Sequence, residues 1–287
     1  MEALLTNLLN GIAYSLLLFL LAAGLSLIFG MMDVINLAHG SFFMLGGFVG
    51  IGVLGLTGNW WVALIGATVV VGVIGVVSEV GLLRPLYDRG HLDQILLTFG
   101  LALILEDAAE WIWGTSPRSL PAPELFDSSV NLFGAIIPSY RLFVIVVGLT
   151  LAASLYYLLE RTRVGAIIRA GVSNREMTSA LGFNIPLVFA GVFVFGVTLA
   201  GFAGFVGAPI LGVYPGLDFQ VLILALIIVV IGGLGSLTGV FWVSLLVGLT
   251  QTFGQAYFPS SAAFLLYVIM ALVLIVRPEG LFQRRYA

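Results

Sequence analysis

The sequence predicts an all-α polytopic membrane protein with about 8–10 transmembrane helices, judged by the length of its apolar runs. Charged residues are 9% of the 287 residues and hydrophobic residues 61%, whereas a soluble domain carries about 25% charged residues. The stretches without Asp, Glu, Lys or Arg include 3–32, 94–105, 142–159, 177–217 and 219–276. One crossing needs roughly 20 apolar residues, so the last stretch alone holds material for about two or three crossings.

The apolar runs give the predicted order of the spans. They are 7–29, 41–57, 60–83, 94–113, 141–160, 186–209, 219–231, 240–256 and 262–276. Residues 1–3 lack the positive segment of a signal peptide, so we expect the first run to be retained as a helix. No linker or shift in composition divides the chain, and we therefore expect one transmembrane domain over 1–287.

The arginines indicate the orientation. When the spans alternate across the membrane, only Arg118 and Arg141 fall on one side. The other arginines fall together on the opposite side: Arg84, Arg89, Arg161, Arg163, Arg169, Arg175, Arg277, Arg284 and Arg285. Loops rich in Lys and Arg stay in the cytoplasm, which predicts an external N-terminus and a cytoplasmic C-terminus.

Two membrane segments are predicted to be broken. Residues 30–41 contain Asp33, Asn36, His39 and Gly40, and residues 232–239 combine glycines with small polar residues. Irregular backbone inside a bilayer is tolerated where it is buried in protein or lines a cavity, although glycines also serve close helix packing. Helical spacing would place Asp33, Asn36 and His39 on one face. We expect a hinge or gate of the pathway here, formed with Gly232, Gly233, Gly235, Ser236 and Thr238.

A charged loop, 161–185, interrupts the apolar sequence. Ser173 and Glu176 have the spacing of a capping box, in which the serine accepts from the third amide of the helix and the glutamate returns to the cap amide. Gly182 is placed to end the helix. The predicted helix, 174–181, carries Met177, Ala180 and Leu181 on one face, while Arg175, Thr178 and Ser179 lie on the other. An ordinary cytoplasmic loop whose arginines fix the topology would explain Arg161 and Arg163. It would not explain the cap, the apolar stripe and the glycine that follow them.

Acidic residues outside that loop are expected near the ends of spans. Glu106, Asp107 and Glu110 cluster close to the outer end of 94–113, where they either attract a cationic group or end in solvent. Glu79 is placed to pair with Arg84. Residues 114–140 form the largest external segment, and their prolines prevent a continuous helix.

Two residue types are missing from the whole sequence. Without cysteine there is neither a disulfide nor a thiolate metal site. Without lysine there is no P-loop, because that motif needs a lysine at the phosphates. If ATP drives this protein, another subunit must bind the nucleotide. No nucleophile–base constellation or metal set indicates an enzyme, and neither a metal nor a nucleic acid is expected as a partner.

Several motifs, in order along the chain, resemble the branched-chain amino-acid ABC transporter permeases, and most of all the first of their two paralogous subunits. They are Gly24-Leu-Ser-Leu-Ile-Phe-Gly-Met-Met-Asp-Val-Ile-Asn-Leu-Ala-His-Gly-Ser-Phe, Gly232-Gly-Leu-Gly-Ser-Leu-Thr-Gly and Arg277-Pro-Glu-Gly-Leu-Phe. The segment from Glu176 to Gly182 is similar to the Glu-Ala-Ala-x-x-x-Gly loop of bacterial ABC-importer permeases, with Met177 and Thr178 in place of both alanines.

The resemblance implies an ATP-driven importer that works by alternating access in the bacterial inner membrane. It implies two homologous permeases, two ABC ATPases that hold ATP and magnesium, an external solute-binding protein and surrounding lipid, with no cofactor on this chain. The coupling helix would contact the ATPase through residues within 169–182: Arg169, Ser173, Asn174, Arg175, Glu176, Met177, Leu181 and Gly182. Arg118, Glu124 and Asp127 are candidates for docking the binding protein.

The cargo stays open at this point, because the same family carries branched-chain amino acids, urea, short amides and aromatic acids. An ion-coupled secondary transporter would also be polytopic with broken helices. Such a transporter would need an acid at mid-membrane, whereas most acids here lie near the ends of spans. A passive channel would need a filter formed by a repeated ring.

Overall fold

The computed structural model describes residues 2–87, 89–132, 134–278 and 280–282. Within these ranges the chain forms eleven α-helices and one two-stranded antiparallel hairpin. The helices are α1 Glu2–Met32, α2 His39–Thr57, α3 Trp60–Ser78, α4 His91–Trp113, α5 Ser139–Arg161, α6 Arg163–Ser173, α7 Arg175–Ala180, α8 Ile185–Leu211, α9 Leu217–Gly232, α10 Leu237–Tyr257 and α11 Ala262–Val276. The strands are β1 Ser129–Leu132 and β2 Ala135–Pro138.

The all-α membrane fold predicted from the sequence is confirmed. Each of the nine predicted spans corresponds to one helix, and six helices are long and apolar enough to cross a membrane by length and composition. The other three helices do not meet this criterion: α4 contains four carboxylates (Asp93, Glu106, Asp107 and Glu110), while α9 and α11 are shorter than a full crossing. We call the end of the bundle that carries Arg84, Arg161, Arg163 and Arg169 the arginine-rich face.

α1 is the central helix of the bundle. It packs against α5, α8, α9 and α10, and residues 16–23 are all fully buried. Small residues allow the closest of these contacts: a Cβ added to Gly248 of α10 would lie 2.7 Å from the Ser15 Cα. An apolar helix buried on every side cannot face lipid, so α1 forms the axis around which the other helices are arranged.

The first predicted break is present between α1 and α2. Residues 33–38 are not helical, and they return from the end of α1 into the bundle. The His39 Nε2 atom lies 3.0 Å from the Leu21 carbonyl oxygen. Leu21 is 11 residues before the end of α1, about 16 Å along the axis at 1.5 Å per residue. α2 therefore begins deep inside the bundle.

α8 and α9 form a second break of the same kind, which runs in the opposite direction. After α8 ends at Leu211, the chain passes Val213 beside Gly47 of α2 and reaches Asp218 beside Gly40. α9 thus starts at the depth where α2 starts and ends at Gly232 on the arginine-rich face. The Ser41 hydroxyl donates to the Asp218 Oδ2 atom at 2.8 Å, which joins the first turns of the two helices.

The loop 233–236 between α9 and α10 is the break that the sequence predicted at 232–239. It lies at the arginine-rich face, where Gly233 and Gly235 both have positive φ angles, 93° and 76°. The chain after α11 covers this loop, since the Leu281 amide donates to the Ile231 carbonyl at 2.8 Å. Glu279, Arg284 and Arg285 lie outside the described residues.

Candidate gate and coupling site

The non-helical segment 33–38 satisfies its polar backbone through one side chain of α4. Thr98 is fully buried, donates to the Ile35 carbonyl at 3.1 Å and accepts from the Leu37 amide at 3.2 Å. Asn36 accepts from the Ala38 amide at 3.1 Å, which turns the chain into α2. Because an unpaired backbone group in a bilayer is costly, Thr98 is what permits irregular chain at this depth.

The predicted common face of Asp33, Asn36 and His39 is wrong, because the segment 33–38 is irregular and not helical. Asn36 and His39 are fully buried within the bundle. Asp33 lies at the arginine-rich face, where it ends α1 in the left-handed conformation with φ 57°. Its Oδ2 atom is 3.5 Å from the His91 Nε2 atom. Asp adopts the left-handed conformation more readily than most residues, so the end of α1 explains Asp33 without a further function.

Gly40 brings the two buried helix starts together. A Cβ added there would lie 2.1 Å from the Asp218 carbonyl oxygen, so only glycine allows α2 and α9 to approach this closely. Asp218 is buried, and its second carboxylate oxygen has no partner among the described residues. This is the mid-membrane acid that the sequence analysis missed. Its isolation between two long charge-free stretches was the available signal.

Glu106 faces the same region from α4. Its carboxyl group interacts with the Asp218 carboxylate and with the backbone of Gly216. It is partly buried, whereas Asp107 is exposed. Glu106 therefore lies beside the start of α9. Glu79 behaves as expected: it is fully buried and bonded to Arg84 Nη2 at 2.8 Å.

A cavity of about 100 Å³ at the arginine-rich face brings together the end of α1, the loop 233–236 and α6. Gly30 and Gly235 touch there, since a Cβ added to Gly30 would lie 2.3 Å from the Gly235 Cα. The Ser26 hydroxyl and one guanidinium nitrogen of Arg169 are buried without partners among the described residues. Other polar residues on its wall include Glu160, Ser236 and Thr238. The structure thus places Arg169 beside the second predicted break.

α6 was not predicted from the sequence. Thr162 caps it by accepting from the Gly165 amide at 3.2 Å. Its apolar residues recur at helical spacing: Val164, Ile167, Ile168 and Val172. That pattern was the available signal for an amphipathic helix. Val164, Ile167 and Ile168 line an apolar cavity against α1 and α8, so α6 lies between the transmembrane bundle and α7.

α7 confirms a short helix after α6, but its cap is shifted by one residue. Asn174, and not Ser173, accepts from the Met177 amide at 2.9 Å, while Ser173 is the last residue of α6. Gly182 follows the helix with φ 90°, and its amide donates to the Ser179 carbonyl at 2.9 Å. Together with the bond from Phe183 to Thr178 this forms a Schellman motif, as the glycine predicted.

The polar side of α7, and not its apolar side, carries a buried residue. Thr178 is only 2% exposed, whereas Met177 is 60% and Leu181 70% exposed. Glu176 is also exposed, and the side chain of Arg175 lies outside the described residues. The Thr178 hydroxyl donates to the Asn174 carbonyl at 2.8 Å, so its burial leaves no donor unpaired. The apolar stripe is therefore available to a partner, and we call Met177, Leu181 and Phe183 the α7 apolar face.

On the opposite face of the bundle, residues 114–138 form an irregular segment with the β1–β2 hairpin. Arg118 pairs with Val213 through two backbone hydrogen bonds of 2.8 Å, and its guanidinium donates to the Trp113 carbonyl. Glu124 and Asp127 flank a short 3₁₀ turn. All three side chains are exposed. Arg118 therefore ties the segment 114–138 to the chain that leads into α9.

The arrangement of these elements suits motion. Among the described residues there is no group of three His, Cys, Asp or Glu side chains that could hold a metal ion. Instead, two broken helices meet inside the bundle, and a glycine contact joins the end of α1 to the loop 233–236, beside α6. A hinge that can open and close a path is what such elements provide in transporters.

Relatives of the chain are membrane permeases. It is 29% identical to the high-affinity branched-chain amino acid transport system permease protein BraD of Pseudomonas aeruginosa, over 98% of this chain and 96% of that one. It is 26% identical to LivH of Escherichia coli, over 96% and 94% of the two chains. A probable LivH of Methanocaldococcus jannaschii is also 26% identical, over 95% and 90%.

A solved structure shares the fold. PsaBC from Streptococcus pneumoniae, in complex with a Fab, superposes with a TM-score of 0.54 at 11% identity over 93% of this chain and 89% of that one. The profile of the family described as branched-chain amino acid transport system / permease component matches residues 7–276, which include both buried breaks, α6 and α7. The chain belongs to this family of ABC-importer permease subunits.

Proposed function

We propose that the protein imports branched-chain amino acids, as the pathway subunit of an ATP-driven transporter whose nucleotide is bound by separate ATPases. The relatives that cover nearly the whole chain are named as branched-chain amino acid permeases, which supports this cargo. The observation that carries the proposal is the α7 apolar face: a short capped helix exposes its apolar side on the arginine-rich face. Apolar surface of this kind marks a site for protein contact.

The proposed orientation places the arginine-rich face in the cytoplasm. Arg84, Arg161, Arg163 and Arg169 lie on it, and positive residues are retained on that side. The N-terminus is then external and α7 is reachable by a cytoplasmic ATPase. The segment 114–138 faces outward, with Arg118, Glu124 and Asp127 exposed for the solute-binding protein. A paralogous permease completes the pathway as a heterodimer in a bacterial inner membrane.

The proposed coupling route follows contacts from α7 to the breaks. α7 continues directly from α6 through Asn174, which ends one helix and caps the next. Arg169 of α6 lies on the cavity that also touches Gly30 and Gly235. Movement of α7 on its ATPase is thereby passed to the end of α1 and to the loop 233–236. We propose that this loop acts as the cytoplasmic gate of the pathway.

The test uses the complete complex in proteoliposomes with external binding protein and internal ATP. Glu176→Arg and Gly182→Pro should abolish uptake, while the permease is still inserted and assembled with its paralogue. Gly182 has a φ of 90°, which proline cannot adopt. Arg161→Gln, in the same loop but outside α7, is the matched control and should transport normally. Normal uptake by the Gly182→Pro complex would show that α7 does not couple.

The cargo is tested separately by competition. Radiolabelled leucine uptake by the unaltered complex is measured against excess isoleucine, valine, urea, acetamide or benzoate. Inhibition by the branched amino acids alone supports the proposed cargo, whereas inhibition only by urea, amides or aromatic acids assigns the protein to another substrate class. Uptake by the permease without any ATPase would refute ATP coupling.

A further inference from the structure

A third cavity lies in the half of the bundle away from the arginine-rich face. It is partly open, most of its wall comes from α1, α9, α10 and α11, and its volume is about 360 Å³. Small-molecule sites in proteins have volumes of about 300–1,000 Å³. Six of its wall residues are uncharged hydrogen-bonding side chains: Tyr14, Tyr214, Gln220, Gln251, Gln255 and Tyr267. Most of the others are aliphatic.

Two of these glutamines are exposed although they belong to membrane helices. Gln220 is in the first turn of α9, at the depth where the buried helix starts meet, and Gln255 is in the last turn of α10. An amide that faces hydrocarbon loses its hydrogen bonds to water without replacement. Polar side chains in membrane segments accordingly face water or protein. This side of the bundle therefore does not face lipid.

The cavity offers both donors and acceptors. The Tyr214 hydroxyl donates to the Gln220 Oε1 atom at 2.8 Å, which leaves the Gln220 amide group free to donate. The Gln251 Oε1 atom is buried and has no partner among the described residues. A buried acceptor without a partner is destabilising unless a ligand or water pairs with it. The wall thus holds one unpaired acceptor and free donors around the same space.

The described residues that line this cavity carry no formal charge. A desolvated ion would find no counter-charge, and burial of an unpaired ion is costly. A zwitterion brings both charges itself and can pair its ammonium with the amide oxygen and its carboxylate with amide N–H groups. Aliphatic residues such as Val221, Leu224 and Leu266 line the same cavity. The lining suits a small solute with a dipolar end and an aliphatic end.

We propose that this cavity is a binding station for the transported solute, and that its uncharged lining selects aliphatic amino-acid zwitterions over solutes with a net charge. The proposal rests on the importer function proposed above and adds to it the solute contacts of this chain: Gln251 as acceptor and Gln220 as donor. A helix of the neighbouring permease is the other occupant that could fill the space, and the test separates the two.

The first test uses cysteine labelling in the assembled complex, because this chain contains no cysteine. Gln251→Cys should react with a membrane-impermeant methanethiosulfonate from outside, and loaded binding protein with ATP should slow the reaction several-fold. Ser116→Cys, in the exposed external segment, is the control and should react equally with and without solute. No reaction at Gln251→Cys, or reaction that no transported solute slows, would overturn the proposal, since either result means that the solute does not reach the cavity.

The second test compares uptake with ATP hydrolysis. In Gln251→Leu we expect leucine uptake to fall about fivefold to tenfold, as the loss of one hydrogen bond allows, while binding protein still stimulates ATP hydrolysis. Thr252→Val is the matched control, since the Thr252 hydroxyl bonds only within α10. Unchanged uptake, or an equal loss of uptake and stimulated hydrolysis, would refute solute contact. Failure of the unaltered complex to import any solute would instead refute the proposed function.

Discussion

Replacing Thr98 with valine removes the one hydroxyl that holds the segment 33–38 inside the bundle. Valine has the same shape, so the change leaves no cavity and tests the hydrogen bonds alone. Thr98 donates to the Ile35 carbonyl at 3.1 Å and accepts from the Leu37 amide at 3.2 Å. Both backbone groups would lose their partner, while Thr98 itself is fully buried and gives water no access.

The magnitude follows from the two orphaned groups. A buried polar group that loses its partner costs about 1–3 kcal/mol, whereas side-chain hydrogen bonds between membrane helices are worth about 0.6 kcal/mol on average. The lower figure applies where the group left behind finds another partner. Ile35 and Leu37 lie in non-helical chain and have no helical partner to replace Thr98. At about 1–3 kcal/mol for each group, we expect a total loss of about 2–6 kcal/mol.

The assay is equilibrium unfolding of the purified permease in mixed micelles, followed by tryptophan fluorescence. Thr98→Ser keeps the hydroxyl and should stay within about 1 kcal/mol of the unaltered protein. Thr150→Val is the matched control, because that exposed hydroxyl bonds only to the Val146 carbonyl of its own helix. A Thr98→Val protein as stable as the Thr150→Val protein would refute the view that this hydroxyl maintains the break.

Two further changes probe the contacts at the breaks and at α7. Gly40→Ala places a Cβ at 2.1 Å from the Asp218 carbonyl oxygen, so α2 and α9 must separate; we expect loss of uptake together with a free energy of unfolding lowered by about 1–3 kcal/mol, and unaltered stability in micelles would contradict the close contact. Leu181→Asp puts a charge on the exposed α7 apolar face and should release the ATPases in co-purification without lowering the stability of the permease. Leu125→Asp, 75% exposed on the opposite face, is its control and should retain the ATPases.

The spans could be predicted because each depends on one local property, an apolar run of sufficient length. Both glycine-rich breaks were predicted for the same reason, since glycine and polar residues stand out in such a sequence. The form of the first break was not predictable. Helical spacing suggested one face for Asp33 and His39, but Thr98, 59 residues after His39 in the sequence, stabilises an irregular path. Local periodicity carries no information about such a distant partner.

The start of α7 shows how neighbouring signals compete. Ser173 and Asn174 are both good cap residues, and the sequence alone favoured Ser173 because Glu176 follows it at the right spacing. The structure extends α6 through Ser173, and Asn174 becomes the cap of the next helix. A second feature of α7 is that Thr178 is buried while Met177 is exposed. An apolar face predicts burial, but in a subunit that face can be buried by another chain.

The buried position of Asp218 was not predicted from the sequence. The charge-free stretches on either side indicate the lengths of spans, not the depth of the residue that divides them. Its position depends on the chain turning back after α8, which depends on contacts with α2 and with Arg118. Those contacts link residues about a hundred or more positions apart in the sequence. The depth of a membrane residue follows from the sequence only where the helix that carries it crosses without interruption.

The hydrogen bond between Ser41 and Asp218 joins two helices that both start inside the bundle into one element that spans it. At 1.5 Å per residue, α2 is about 28 Å long and α9 about 24 Å long. Neither helix extends from one surface of the bundle to the other, because both start inside it, whereas the two together do. α2 ends at Thr57 on the face opposite the arginine-rich face, and α9 ends at Gly232 beside the loop 233–236, which shares a cavity with α6. A displacement of either helix end is therefore transmitted to the contact between the two helix starts inside the bundle. The angle between two separate helices can change there, whereas a continuous helix would have to lose backbone hydrogen bonds.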